Sequence, residues 1–328
     1  MSPTRRTLLA AATLACTAAL PGRAQSRVPR VGWLRLNASG MYAEISGRGF
    51  IQGLAEAGYV DGKNVVLDQR SAEGQLKRLP ALAREMAAAG ADVFFAPSKA
   101  LADAAWYADR KTPIVIAELI NPERLGYVKS IGRPGTRVTG VLTSIGELAA
   151  KRMQLFAEAV PGLKRLGVII HEATLQNCHQ DFEEMEKAAT RLGLTLVPAN
   201  IDTAADVSAA FKTWRAAGVQ AIANTLVTSR VGVQTEVLAR AMQERLPTMV
   251  ESEHLVRSGA MLSYGPDLHD HFRRAGHYVA RILKGANPAE MPLEAAREFR
   301  LVVNLNTAKQ LGITVPYTIV LRANEVIE

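Results

Sequence analysis

The chain has little cysteine, with two residues among 328, Cys16 and Cys178. Cys16 lies in a leader expected to be removed, which leaves one thiol and excludes an internal disulfide, so the fold must stand on core packing. Neither CxxC nor HExxH spacing occurs, so no resident metal is expected. GxxxxGK[ST] is absent and no GxGxxG follows the first strand, which removes nucleotide-phosphate loops; no cofactor is expected. No GxSxG elbow follows any strand, so a Ser-His-Asp hydrolase finds no support. Aromatics make up 5% of the chain and never interleave with a basic run, so the net charge of +8 reads as a mixed solvated surface and not a nucleic-acid face.

What is present begins with MSPTRRTLLAAATLACTAALPGRAQS. Arg5 and Arg6 precede an uncharged run from Leu8 to Leu20, followed by Gly22, Arg23 and Ala24, the three-part pattern of an export signal over residues 1–24. The run is too short to span roughly 30 Å of hydrocarbon, and no later stretch is long and apolar enough, so no stable membrane insertion is expected. Thr4-Arg5-Arg6-Thr7-Leu8-Leu9 is similar to a twin-arginine signal, with the Sec route the alternative. Cleavage near Ala24 gives a periplasmic product; anchoring through Cys16 as a lipoprotein is disfavoured by Thr13, where a lipobox carries leucine.

About 300 residues then remain, more than one comfortable core, which implies two lobes. Short apolar runs alternate with amphipathic segments. Strands are expected at 28–34, 64–70, 91–97 and 112–118, with helices at 41–59, 75–90 and 98–110 between them. The rhythm restarts with helices at 147–162, 180–193, 205–218 and 229–246 and strands at 165–170, 194–200, 220–227, 247–251 and 260–265. Strands separated by helices of this length form parallel β-α-β crossovers. The expected fold class is therefore α/β, two Rossmann-like lobes with parallel sheets in series. Ligands of such sheets lie beyond the carboxyl ends of the strands, in the cleft between the lobes. GRPGTRVTG (132–140), with its glycines, Arg133 and Arg137, reads as a turn approaching a crossing between lobes, its arginines at the surface.

Several segments carry a resemblance: GFIQGLAEAGYVDGKNVVLDQRSAEG, RLPALAREM, DVFFAP, then IGRPGTRVTGVLTSIGELAAKRMQLFAEAVPGLKRLGVI, AMLSYGPDL, GHYVARILKGANPAEMP and FRLVVNLNTAKQLGITVP. In this order they resemble the ABC transporter substrate-binding proteins of the tryptophan and amino-acid type, over nearly the whole chain beyond the leader. The resemblance implies a type I periplasmic-binding-protein fold with three hinge crossings, residues 29–144 plus 257–292 forming lobe 1 and 145–256 plus 293–328 lobe 2. It also implies a receptor that closes on a small polar, amino-acid-like ligand, works as a monomer, and meets an ABC permease and its ATPase transiently. No covalent chemistry is required. A ligand-sensing subunit or a periplasmic enzyme on the same fold is the alternative. The chain departs from the family pattern at His171-Glu172, Leu226-Val227 and Glu251-Ser252-Glu253, which are cleft positions, so tryptophan specificity does not carry over.

Position on the fold selects the candidate binding residues. They are Leu36 and Asn37 after the first strand, Ser98 and Lys99 at a helix start, and Glu118 and Asn121 after the fourth strand. His171 and Glu172, Thr228 and Ser229, and Glu251 and Glu253 complete the set in the second half. Helix-start N–H groups and hydroxyls suit a carboxylate and the acids suit an ammonium, so the set fits a small zwitterion. Each equally fits a cap or a solvated loop. Cys178 and His179 are adjacent and would point about 100° apart on a helix, against a shared metal. His269 and His271 read as a solvated loop or helix start.

Overall fold

The computed structural model describes residues 27–119, 121–143, 146–170, 172–223 and 231–328, with side chains at 146–147, 172–181 and 231–232 excluded. The expected leader, His171, Thr228 and Ser229 therefore lie outside the described residues. The apolar runs form β1 (Arg30–Arg35), β2 (Val66–Ser71), β3 (Val93–Phe95), β4 (Ile114–Leu119) and β5 (Val138–Leu142). Between them run α1 (Met41–Glu56), α2 (Leu79–Ala88) and α3 (Lys99–Ala108). The second series is α4 (Gly146–Ala159), β6 (Arg165–Ile170), α5 (Glu172–Arg191), β7 (Thr195–Asn200), α6 (Ala204–Ala216), β8 (Ala221–Ala223), α7 (Val231–Gln243), β9 (Thr248–Val250), α8 (Glu253–Arg257) and β10 (Leu262–Pro266). The chain ends with α9 (Leu268–Leu283), β11 (Glu294–Ala295), β12 (Phe299–Asn304), α10 (Leu305–Leu311), α11 (Tyr317–Val320) and β13 (Glu325–Ile327).

One sheet has the order β11-β5-β4-β3-β1-β2 and the other β13-β12-β10-β9-β8-β6-β7. All pairings are parallel except β10 with β12. The two-residue side-chain period sorts each buried strand between two cores. Leu34, Phe94, Ile114 and Ile116 face α2 and α3, while Val31, Trp33, Phe95 and Val115 face α1 and α9. In the second sheet Leu166 and Val168 face one way and Ile169 the other. Burying each large apolar side chain contributes about 1.5–3 kcal/mol, and Phe50 stacked on Phe95 with centroids 3.9 Å apart anchors the α1 side.

The chain passes between the sheets three times: from β5 to α4, from β10 to α9, and from β11 to β12. Two details differ from the expected lobe limits. β10 pairs with β9 and β12 in the second sheet, so the return crossing follows Pro266 and not residue 257. Glu294 and Ala295 still pair with β5, so the last crossing comes after them and not at 293. A hydrophobic strand looks the same in either sheet; only its hydrogen-bond partners assign it.

α9 follows the second crossing directly, with Asp267 accepting from the Asp270 N–H at 3.0 Å as its N-cap. It packs on α1 through glycine: a Cβ on Gly49 or Gly53 would fall 2.2 Å from the His269 carbonyl oxygen or 1.9 Å from that of Arg273. The helix backbones thus touch, which leaves no room for a side chain between α1 and α9 at these positions. His271, expected in a solvated loop or at a helix start, is buried in the first turn of α9 at 3% exposure, because the apolar stripe of the helix includes it. The helix-start reading of His271 thus holds, while Arg137 is not the surface residue expected. Its guanidinium donates to the carbonyls of Thr112, Trp106 and Asp109 at 2.6, 2.5 and 2.8 Å and lies 4.7 Å from the Trp106 ring centroid. It closes the loops at the start of β4, while Arg133 is exposed.

Candidate functional site

The carboxyl ends of strands from both sheets converge on a cavity of about 640 Å³. From the first sheet come Leu36 and Asn37 after β1, Ser98 after β3, and Glu118 on β4. From the second come Glu251 after β9, Arg152 of α4, Gln234 of α7 and His254 of α8. Leu119, Leu125, Leu268 and Phe272 add an apolar wall on the first-sheet side. The lobes meet here, since the Tyr42 ring of α1 lies edge-on to the His254 imidazole with centroids 5.5 Å apart.

Two carboxyls face the cavity from opposite sheets. Glu118 accepts a hydrogen bond from the Tyr42 hydroxyl at Oε2. Burial pushes its carboxyl up to about 7, with the Tyr42 bond acting the other way. Its backbone N–H donates to Pro97 O at 2.8 Å, which sets Glu118 beside Ser98. Glu251 is also raised to about 7 by burial; the Arg152 charge and a Gln234 hydrogen bond of 3.3 Å lower it, and the Glu118 charge across the cleft raises it. Its Oε2 is buried without a hydrogen-bond partner among the described residues.

The cations nearby are engaged. Arg152, 2% exposed, donates from Nε to Tyr264 O at 2.5 Å, and burial lowers it to about 10, so it stays charged at neutral pH. Lys99 Nζ pairs with Asp103 Oδ2 at 2.7 Å along α3, an exposed pair worth little in stability. Ser98 has N-cap backbone angles but makes no capping bond, so its hydroxyl and the first N–H groups of α3 are offered to the cavity. Burial lowers His254 to about 4, and its Nδ1 lies 2.8 Å from Ser252 Oγ. His271, likewise lowered to about 4 by burial, donates from Nε2 to the Ala117 carbonyl, which leaves Nδ1 as a buried acceptor.

Leu36, Asn37, Ser98, Lys99 and Glu118 from the first sheet and Glu251 from the second thus line one cavity, as their strand-end positions imply. Glu253 does not join them. It opens α8 and pairs with Arg300 at 3.0 Å, and Arg300 also reaches Asp267 and Glu325 beside the crossings. Asn121 starts the turn after β4 with φ of 49° and lies outside the lining. Glu172 opens α5, its side chain outside the described set, as are His171, Thr228 and Ser229. Tyr42, Arg152, His254 and His271 are lining residues that the strand-end rule misses, because helices carry them.

These groups set opposing pH dependences. Glu118 and Glu251 titrate near 7 in the folded chain, above the ordinary 4.5, so their contribution to stability is present below about 4.5 and lost as pH rises through about 7. His254 and His271 titrate near 4, below 6.5, so theirs is present above 6.5 and lost as pH falls through about 4. Between 4.5 and 6.5 the four cancel. A Glu118→Gln/Glu251→Gln variant is therefore expected to gain stability from about pH 4 to 6.5 more steeply than the wild type. Urea midpoints across that range measure it, and parallel curves would contradict the assignment.

Comparison with known proteins agrees with this geometry. A family model described as ABC transporter substrate binding protein matches residues 36–327. The tyrosine-binding protein of Clostridioides difficile (strain R20291) is 26% identical over 268 residues, covering 81% of this chain and 76% of that one. A conserved domain protein from Vibrio cholerae is structurally similar at 26% identity and a TM-score of 0.80, over 92% of this chain and 100% of its own. An ABC domain from Streptococcus pneumonia solved in complex with L-Trp shares the fold at 24% identity and a TM-score of 0.83, with the same coverage. The two mostly parallel sheets and their crossings are the type I periplasmic-binding-protein fold. The chain belongs to the family of ABC transporter substrate binding proteins.

Proposed function

We propose that the exported chain is a periplasmic receptor for an α-amino acid, closing its lobes on the ligand and presenting it to a membrane permease driven by an ATPase. The observation that carries this is the pair Glu118 and Glu251, facing one cavity from opposite sheets. An ammonium held between them makes charge-assisted hydrogen bonds in both lobes, so the ligand stabilises the closed state over the open one. The amino and carboxylate groups of an α-amino acid are close together, and Glu118 is tied beside Ser98 at the start of α3. The carboxylate then meets the Ser98 hydroxyl and helix N–H groups. The apolar wall receives the side chain. The ligands named for the relatives, tyrosine and tryptophan, are of this class.

Thermal unfolding of the protein with each standard amino acid tests the assignment. A ligand at 100 times its Kd adds about 2.7 kcal/mol, which raises Tm by about 4 °C in a chain of this size. Small carboxylates without an amine should shift it far less. If none of the amino acids shifts Tm and a simple carboxylate or nucleobase does, the assignment is wrong.

A further inference from the structure

Tyr42 touches both halves of the molecule. Its hydroxyl donates to Glu118 Oε2 within the first lobe, and its ring meets His254 of the second. A third contact fixes the ring, Phe272 of α9 standing at 90° to it with centroids 6.1 Å apart. Its backbone is held as well, since Ser46 Oγ donates to Tyr42 O at 2.7 Å and the glycine contacts lock α1 onto α9. Burial and the Glu118 charge both push the phenol well above its ordinary range, so it keeps its proton and remains a donor. A carboxylate with one oxygen tied in this way presents the other in a fixed direction.

The geometry points to Tyr42 as the positioning and closure residue of the cleft. Its hydroxyl aims Glu118 at the ligand's ammonium, and its ring joins that carboxylate's support to α8 when the lobes close. This deepens the amino-acid assignment and rests on it for the ligand's amine, though not for the Glu118 contact. The groups that face this pair come from five elements. Arg35 follows along β1 and acts on Tyr42, and Glu251 faces Glu118 from the end of β9. His271 of α9 holds the carbonyl next to Glu118, His254 of α8 meets the ring, and Arg152 of α4 offsets Glu251.

Two variants separate the roles. Tyr42→Phe keeps the ring and removes the donor. In carboxyl-labelled protein, with Glu118→Gln to assign the signal, the Glu118 13C titration midpoint is expected to rise, because the ionised form has lost its hydrogen bond. Affinity for L-tyrosine should fall about tenfold. His254→Ala keeps the donor and removes the second-lobe ring; the L-tyrosine dissociation rate should increase about fivefold with little change in association. An unchanged Glu118 midpoint in Tyr42→Phe overturns the positioning role, and an unchanged dissociation rate in His254→Ala overturns the closure role. If the wild type fails to bind L-tyrosine or any other amino acid, the amine assignment falls. The Glu118 titration still decides the positioning role, and X-ray scattering of both proteins without added ligand decides closure, His254→Ala then expected to be more open and an equal radius of gyration counting against it.

Discussion

Glu118→Gln is expected to weaken binding of an amine-bearing ligand by about 100-fold. A hydrogen bond to a charged group is worth about 1.5–3 kcal/mol, and removing one partner of a buried charge pair costs about 2–5 kcal/mol. Glutamine keeps the shape and a carbonyl acceptor, so the loss reports charge. Glu251→Gln should act in the same direction. Because the Glu118 charge raises the Glu251 carboxyl, the two losses should not add in the double variant. Wild-type affinity should also rise from about pH 5 to 7 and level off above, since an ammonium binds the ionised carboxylates and both titrate near 7. Calorimetric titration across pH measures all of this. Equal affinities in wild type and both variants would remove the carboxylates from the site.

Gly53→Ala is expected to be the most damaging small substitution in the first lobe, at about 3 kcal/mol or more, which lowers Tm by about 5 °C or more. Its Cβ would sit 1.9 Å from the Arg273 carbonyl oxygen, and backbone on both sides leaves nothing flexible to yield. The helices must separate, opening the core around Phe50, Phe95 and Phe272 and displacing Tyr42 and His271 from the cleft wall. Gly47 supplies the control. A Cβ there meets only Trp33 at 3.4 Å, so Gly47→Ala should be neutral or stabilise α1 by up to about 1 kcal/mol. Similar Tm losses in the two variants would show that helix propensity, not close approach, governs this interface.

Much of this protein was legible in its residues because it rests on local regularities. The order of strands and helices up to residue 265 follows from apolar periodicity, so β6 fell on residues 165–170 as expected and most of the expected segments lay within a few positions. α5 begins at Glu172 and not near 180, and α8 to α11 and β11 to β13 were not anticipated. Parallel crossovers then fixed which strand ends face the cleft, and Leu36, Asn37, Ser98, Lys99, Glu118 and Glu251 followed. The same rule does not reach Glu253, one residue into α8, where the helix turns the side chain to Arg300 and away from the cavity.

Contacts between distant segments were decided by tertiary structure alone. Arg137 and Arg133 look alike in GRPGTRVTG, yet only Arg137 meets three carbonyls 25 to 31 positions away, because β4 and β5 are neighbours. Tyr42 and Glu118 stand 76 positions apart and share a hydrogen bond because α1 and β4 open onto one cleft. The sequence by itself determined most of the elements up to residue 265, their parallel crossovers and the cleft they border, since those depend on spacing within each segment. The antiparallel entry of β12 beside β10 did not follow from it. Which side chains meet across that cleft depends on the packing of α1 against α9 and of one lobe against the other. No local pattern encodes those long-range distances.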